Sequence, residues 1–302
     1  MRALFNSNYP ILIQGETGTG KTKLAKKIHT TSSYKYSPYV ECNLAGISDN
    51  LFESELFGHT KGSFTGACSD KKGFCEKAGD GTLFFDEIGD ITLGQQKKLL
   101  QIIDTGEFYR LGSTVKSTFS GRFIFATHKD LEKLVREGSF REDLFYRLGG
   151  VSFTLDPIRK KSEESRIEKI NNFISEAKKK YNINRMSFNQ DALEALSSYS
   201  WPGNYREMKA TIELVMLKTE RSEINLKDLP YRFNSISIEN SSFKRQVSEL
   251  ERKILYNEVV NKGVGINKAS KSLGISKTTL IAKLRKYGIS DQYIDRVNLK
   301  IA

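Results

Sequence analysis

The run Gly15-Glu16-Thr17-Gly18-Thr19-Gly20-Lys21-Thr22 has the spacing GxxxxGK[ST], which suits one chemical task. Its glycines let successive backbone N–H groups wrap phosphate oxygens. Lys21 brings a cation to the terminal phosphates, and the Thr22 hydroxyl is a hard donor for Mg²⁺. Downstream, Asp86-Glu87 closes the apolar run Leu83-Phe84-Phe85. A carboxylate at the end of a buried strand beside such a loop is placed to hold the metal, so Thr22 and Asp86 are the expected Mg²⁺ ligands. The adjacent Glu87 is placed to polarise an attacking water as general base. The two motifs together point to hydrolysis of a nucleoside triphosphate. His29, His59 and His128 are the three histidines. None has a neighbouring Ser or Cys arrangement that suggests a triad, so each reads first as a structural side chain.

These residues need elements to position them. Tyr9–Gln14, Tyr39–Asn43, Thr82–Asp86, Phe123–Thr127 and Val151–Leu155 are short apolar runs that read as strands. Between them, Lys21–His29 and Leu93–Asp104 carry helical spacing, the latter with Leu99, Leu100 and Ile103 on one face. Strands alternating with helices imply an α/β fold with a parallel sheet covered on both faces. From Ser162 the pattern turns helical only, over 162–180, 190–199 and 204–219. Residues 225–242 read as a linker. Phe243–Asn261, Ile266–Leu273 and Lys277–Tyr287 read as three further helices.

Other segments add a second signature. Glu53-Ser54-Glu55-Leu56-Phe57-Gly58-His59 precedes Gly62-Ser63-Phe64-Thr65-Gly66-Ala67. Further on come Phe140-Arg141-Glu142-Asp143-Leu144-Phe145-Tyr146-Arg147-Leu148 and Trp201-Pro202-Gly203-Asn204-Tyr205-Arg206-Glu207. In order and spacing, over roughly residues 9–220, the chain resembles the sigma-54-dependent transcriptional activators, the bacterial enhancer-binding AAA+ ATPases.

The resemblance implies a AAA+ P-loop NTPase with a small α-helical lid, using ATP and Mg²⁺. Such chains assemble as a homo-oligomeric ring, usually a hexamer, and convert sigma-54 RNA polymerase holoenzyme from closed to open promoter complex. It implies that Gly15, Glu16, Thr17, Gly18, Thr19, Gly20, Lys21 and Thr22 bind nucleotide. Gly62, Ser63, Phe64, Thr65, Gly66 and Ala67 would form the sigma-54-contacting loop. Asn43 would be the switch that holds Glu87. Arg141 and Arg147 would be offered in trans to the γ-phosphate, although residues six apart in a helix need not both reach one phosphate. Arg206 would act in cis from the lid, and His128 falls at the polar sensor position. Packing of Phe64 on its own domain and structural ion pairs for the arginines are the alternative readings.

Several positions depart from the family pattern. Ser63 replaces alanine, His128 replaces asparagine and Thr22 replaces a common glutamate. Asp156-Pro157-Ile158-Arg159 and Glu164-Ser165-Arg166 differ from the usual sequences. The departures at Ser63 and His128 keep a second reading open, in which the AAA+ region serves only nucleotide-dependent oligomerisation of a DNA-binding regulator.

The C-terminal stretch has its own character. Of the net +12, +8 lies in residues 241–302, and no acidic residue falls between Val259 and Ser290. A concentrated basic field favours polyanions, although it also suits an ordinary solvated surface. Ala269 and then Leu273-Gly274-Ile275-Ser276 read as a helix, a turn and an N-cap. This resembles the Fis-type helix-turn-helix of the same activators. The resemblance implies that Ser276, Lys277, Thr278, Thr279, Lys283, Arg285 and Lys286 meet double-stranded enhancer DNA.

The expected organisation is 1–156 for the ATPase subdomain, 157–224 for the lid, 225–242 for a linker and 243–302 for the all-α DNA-binding domain. With 38% hydrophobic and 28% charged residues the composition is globular. No apolar stretch is long enough to span a membrane, and Met1-Arg2 is not followed by a signal-peptide pattern, so the expected location is the cytoplasm. Cys42, Cys68 and Cys75 form no CxxC pair, and neither a disulfide framework nor a zinc knuckle is expected. The P-loop begins at Gly15, so no N-terminal sensory domain is expected ahead of it.

Overall fold

The computed structural model describes residues 5–233, 243–262, 265–287 and 289. They divide into two compact units: Met1–Ser187 with Tyr199–Glu223, and Phe188–Ser198 with Ile224–Ala302.

The first unit is built on a five-stranded sheet. Its strands are β1 (Ile11–Gly15), β2 (Tyr39–Asn43), β5 (Thr82–Asp86), β8 (Arg122–Thr127) and β9 (Val151–Leu155), in the order β2-β5-β8-β1-β9. Every pairing is parallel. The side-chain period of two then distributes the core over both faces. Leu12, Leu83, Phe85, Phe123 and Phe125 point to one face, where they pack with Phe52, Leu99, Leu131 and Leu144. Ile11, Ile13, Phe84, Ile124 and Ala126 point to the other, against Ala25 and Ile28 of α1 (Lys21–Thr30). Within the larger core, Phe85 stacks on Phe125 and Phe123 at 5.4 and 6.1 Å between ring centres.

The other helices of this unit are α2 (Asp49–Phe57), α3 (Phe74–Ala78), α4 (Leu93–Thr105), α5 (Leu131–Arg136), α6 (Glu142–Leu148), α7 (Glu163–Tyr181) and α9 (Asn204–Lys218). Capping fixes several ends. Thr92 and Gln95 form a reciprocal box at the start of α4, and Ser162 caps α7. Two short ribbons project from the sheet: β3 (Gly58–His59) with β4 (Lys71–Lys72), and β6 (Glu107–Tyr109) with β7 (Lys116–Thr118). At the edge of the sheet away from the P-loop, the fully buried Arg122 donates to the Phe5 carbonyl and to Ser32 Oγ at 3.2 Å.

The expected strands and longer helices recur with shifts of a residue or two. The first strand starts at Ile11 because Tyr9 is solvent-exposed. On α4 the buried stripe is Leu99, Ile102 and Ile103, with Leu100 at its margin. Helix α2 and both ribbons carry no clear sequence periodicity.

The second unit holds α8 (Gln190–Ser198), α10 (Phe243–Tyr256), α11 (Ile266–Ser272) and α12 (Lys277–Lys286). A π-helical turn, Asn257–Asn261, extends α10. Leu255, Val259, Ala269, Leu280, Leu284 and Ile289 form the small core of these C-terminal helices. Within the expected linker 225–242, residues 225–233 are described. Asn225 and Asp228 close a 3-10 turn there, and Phe233 is buried. Residues 234–242 lie outside the described residues. No helix among the described residues is long and apolar enough to cross a membrane.

The ring stack in the larger core sets a stability expectation. Phe85→Ala removes a fully buried ring that touches two others, and should lower unfolding free energy by about 3–5 kcal/mol. Chemical denaturation of the two proteins measures this directly.

Candidate functional site

The carboxyl ends of β1, β5 and β8 converge, as ligand-binding edges of parallel sheets do. The loop from Gly15 to Gly20 connects β1 to α1, whose first residue is Lys21. Thr19 Oγ1 donates back to the Glu16 carbonyl at 2.8 Å, which tightens the loop. Lys21 is nearly buried and donates to the Gly15 carbonyl at 2.9 Å. The next residue sends its hydroxyl toward the sheet, with Thr22 Oγ1 3.5 Å from Asp86 Oδ2. Burial, and then the neighbouring Glu87, push the Asp86 carboxyl up from its ordinary value, while Lys21 opposes them. A hydroxyl and a partly desolvated carboxylate side by side are a hard oxygen pair that fits Mg²⁺.

Glu87 follows on backbone in the left-handed region, at φ 59°, an uncommon state for a residue with a Cβ. Its Oε2 accepts the His128 backbone N–H at 3.3 Å and the His128 ring Nδ1 at 2.7 Å. Its Oε1 lies 3.9 Å from Lys21 Nζ. Asn43 stands opposite Asp86 on the neighbouring strand, and its side chain accepts the Ala45 N–H at 3.1 Å, capping a short turn. The other two histidines are satisfied elsewhere, His29 by Thr82 at 2.9 Å and His59 by Ser54 at 2.8 Å.

These residues open into a cleft of about 560 Å³. Its far wall comes from α7 and α9: Lys169, Phe173, Tyr205, Arg206 and Lys209. Phe173 and Tyr205 meet edge to face at 6.4 Å, with Lys169 Nζ 4.8 Å from the Phe173 ring centre. Of this wall, only Arg206 was expected from sequence. Phe173 and Tyr205 carry no signal that separates them from ordinary helix packing.

The segment before α9 is pressed onto the P-loop. Gly18 has φ 81°, and a Cβ there would strike the Gly203 carbonyl oxygen. The fully buried Asn204 donates from Nδ2 to the Thr17 carbonyl at 3.1 Å and to Glu16 Oε2 at 3.2 Å. Its Oδ1 accepts the Ile158 N–H at 2.9 Å. Arg159 grips both oxygens of Glu16. That grip, then the Asn204 bond, hold the Glu16 carboxyl down at about 2.

Arg141 and Arg147 do not line this cleft. Arg141 is half-buried and bidentate to Asp143 at 3.0 and 2.6 Å. Arg147 is paired with Asp104 at 2.9 Å.

The loop Gly62–Ala67 lies in the connection from β3 to β4. Gly62 and Gly66 take φ of 81° and 107°, and the Gly62 N–H donates to the Ala67 carbonyl at 2.9 Å. Phe64 lies edge-on to His59 at 5.0 Å and still exposes 38% of its surface. The Ser63 hydroxyl is buried without a hydrogen-bond partner.

In the second unit, Ser276 caps α12 by accepting the Thr279 N–H at 3.1 Å. Lys277, Thr278, Thr279 and Arg285 are exposed. Lys283 is drawn onto Glu251 of α10, which also accepts from Tyr287 at 2.7 Å. The Lys286 side chain lies outside the described residues.

Comparison with known proteins places this geometry. Residues 1–154 match the Sigma-54 interaction domain, and residues 167–246 match the AAA+ ATPase lid domain. The chain belongs to the sigma-54 interaction domain family. It is 35% identical over 293 residues to the regulatory protein AtoC of Escherichia coli, a match covering 94% of the chain and 63% of AtoC. The transcriptional regulator NtrC of Proteus hauseri is 33% identical over 317 residues, covering 95% of the chain and 67% of NtrC. The crystal structure of Brucella abortus NtrX in complex with ATP aligns with TM-score 0.69 and 27% identity, over 95% of the chain and 65% of NtrX. The chain therefore spans about two thirds of the length of these relatives. Its first unit has the AAA+ fold, with a parallel sheet core and a helical lid.

The Glu16 clamp gives a pH expectation. Its carboxyl is lower in the folded state, so the unfolded chain binds more protons between about 2 and 4.5. The stabilisation is therefore complete above about pH 5 and is lost as pH falls through that window. The stability difference between the wild type and Glu16→Gln, measured by urea unfolding, should be constant from pH 7 to 5 and narrow from pH 5 to 3.

Proposed function

We propose that the chain is an ATP-hydrolysing transcriptional activator that binds enhancer DNA and remodels the sigma-54 RNA polymerase closed complex into the open complex. The observation that carries this reading is the meeting of Lys21, Thr22, Asp86 and Glu87 at one cleft, in a chain of this family. The P-loop amides and Lys21 bind the phosphates of ATP, and the aromatic pair Phe173 and Tyr205 offers faces to the base. Thr22 and Asp86 would hold Mg²⁺, which when bound neutralises charge on the phosphates. Glu87 takes a proton from water as the water oxygen bonds to the γ-phosphorus. The bond from that phosphorus to the bridging oxygen breaks, and ADP and phosphate leave.

Arg141 and Arg147 serve the neighbouring subunit. Both lie outside the cleft of their own chain and are held on the surface by single carboxylates, so a head-to-tail ring brings them to the next nucleotide. Phe64 is the sigma-54 contact: a partly exposed aromatic on a loop with two left-handed glycines. Helix α12 meets the DNA through Lys277, Thr278, Thr279, Arg285 and Lys286, and Ser276 sets its start. Lys283 contributes through its pairing with Glu251 more than through phosphate, because that carboxylate already occupies its ammonium.

Hydrolysis in trans is the sharpest test. Lys21→Ala and Arg141→Ala should each be inactive alone. Mixed in equal amounts, they rebuild about a quarter of the head-to-tail interfaces and recover a corresponding share of turnover. Phosphate release across mixing ratios measures it, and an absence of recovery at every ratio would assign Arg141 to a cis or structural role.

A further inference from the structure

Helix α4 packs into the larger core through Leu99, Ile102 and Ile103. One turn earlier on the same face stands Gln96, with no exposure to solvent. A carboxamide buried where an apolar side chain would pack costs stability unless both of its ends are bonded. Here Nε2 donates to the Ile91 carbonyl at 3.1 Å and to the Ser139 carbonyl at 3.0 Å, and Oε1 accepts the Arg141 N–H at 2.7 Å. Two carbonyls at one end and a backbone N–H at the other decide which end is nitrogen.

The backbone that Gln96 grips bears an arginine of the site. Arg141 is the N-cap of α6, extended at φ −73° and ψ 134°, with no side-chain cap bond. Its carbonyl enters the helix by accepting the Phe145 N–H at 3.1 Å, whereas its own N–H goes to Gln96. Just before it, the N–H groups of Ser139 and Phe140 go to the Leu134 carbonyl of α5 at 3.0 and 3.1 Å. The loop from α5 to α6 is therefore held by Leu134 on one side and by Gln96 on the other. Asp143, which grips the Arg141 guanidinium, rides on α6 itself, so that ion pair does not fix the arginine relative to the sheet. The remaining contact of Gln96, Ile91, follows the 3-10 turn Ile88–Asp90 just after Glu87. That turn has further ties, from the Asp90 N–H to the Glu87 carbonyl at 3.0 Å and from Lys129 to Asp90 at 2.6 Å. Losing Gln96 would leave the turn tied and the Arg141 N–H stranded.

We propose that Gln96 is a positioning residue for Arg141: it ties the backbone that bears this arginine to the segment leaving β5, and so sets where the guanidinium is presented to the next subunit. The inference rests on the reading above in which Arg141 acts in trans. An arginine that neutralises charge on a transferring phosphoryl group works only in place, and a displacement of about 1 Å can cost about a hundredfold.

The test uses mixed assemblies of full chains, with phosphate release as the readout. Lys21→Ala chains contribute only arginines, and Arg141→Ala chains contribute only the hydrolytic site. Gln96→Met, similar in length but without the bonds, is placed in one chain or the other. In the Lys21→Ala chain it should lower the recovered turnover by about tenfold or more. In the Arg141→Ala chain it should lower it by less than about threefold, because the turn after Glu87 keeps its other ties. Equal losses from both placements would mean a general structural role and would overturn the proposal, as would no loss from the first. Gln96→Glu serves if the methionine variant does not fold. Its buried carboxyl takes up a proton as pH falls, which restores an acceptor for Arg141 and one donor. The deficit in the Lys21→Ala chain, relative to the same mixture with Gln96 intact, should then shrink from pH 8 to 6, and a deficit independent of pH would overturn the proposal. No recovery from Lys21→Ala mixed with Arg141→Ala, with Gln96 intact in both, would overturn the trans reading itself. Recovery there, unchanged by Gln96→Met in the Lys21→Ala chain, would overturn this inference alone.

Discussion

One buried carboxamide ties the site together. Asn204 lies at the first turn of α9 in the left-handed region, without exposure to solvent. Its two amide hydrogens go to the P-loop and its oxygen to the Ile158 backbone. A carboxamide satisfied on both sides in a dry place is stable, and removing it would strand a buried carbonyl and a buried N–H. The consequences spread outward. Gly18 must lack a side chain because the Gly203 carbonyl sits on it, and Trp201, also left-handed and fully buried, anchors the approach to the same turn. Arg159 then finds Glu16 within reach of a bidentate grip. The phosphate loop and the start of the lid helix are therefore one mechanical piece.

The sheet supplies the other half. Parallel pairing in register puts Gln14 beside Thr127 and Asn43 beside Asp86, so the P-loop after β1, Asp86 at the end of β5 and His128 just past β8 share one edge of the sheet. Opposed charges sit there close together: Asp86 is desolvated beside Glu87, Glu87 lies between Lys21 and His128, and Thr22 faces Asp86. Such an arrangement costs stability unless each group is bonded, and it is the usual mark of a site built for chemistry.

Much of this was legible because local patterns coincide with chemistry. The glycines and lysine of the P-loop announce a phosphate site, and the acidic pair after Leu83-Phe84-Phe85 follows from a strand that ends in charge. The cleft's far wall was not legible. Phe173 and Tyr205 look like any apolar helix positions, and only tertiary packing turns them toward the nucleotide site. The grip of Arg159 on Glu16 spans most of the first unit, so no spacing rule reveals it. The partner of Glu87 was expected to be Asn43, on a neighbouring strand end. Its side-chain oxygen accepts the nearby turn amide, a local bond that short polar residues often make, and the side chain bonded to Glu87 here is His128. Lys283 reads as a free cation in the sequence, whereas folding brings Glu251 to it.

Promoter melting measures the central claim most directly: that hydrolysis at the Lys21–Glu87 cleft is converted into remodelling through Phe64. The assay combines the full chain with sigma-54 holoenzyme and a duplex promoter carrying an enhancer, and reads unpaired thymines by permanganate reactivity. The predicted result is melting with ATP and none with a non-hydrolysable analogue, and a Phe64→Ala protein that hydrolyses ATP at the wild-type rate without melting the promoter. Wild-type protein that hydrolyses ATP, binds the enhancer and leaves the promoter closed would contradict it, and would make the AAA+ unit an oligomerisation device for a DNA-binding regulator.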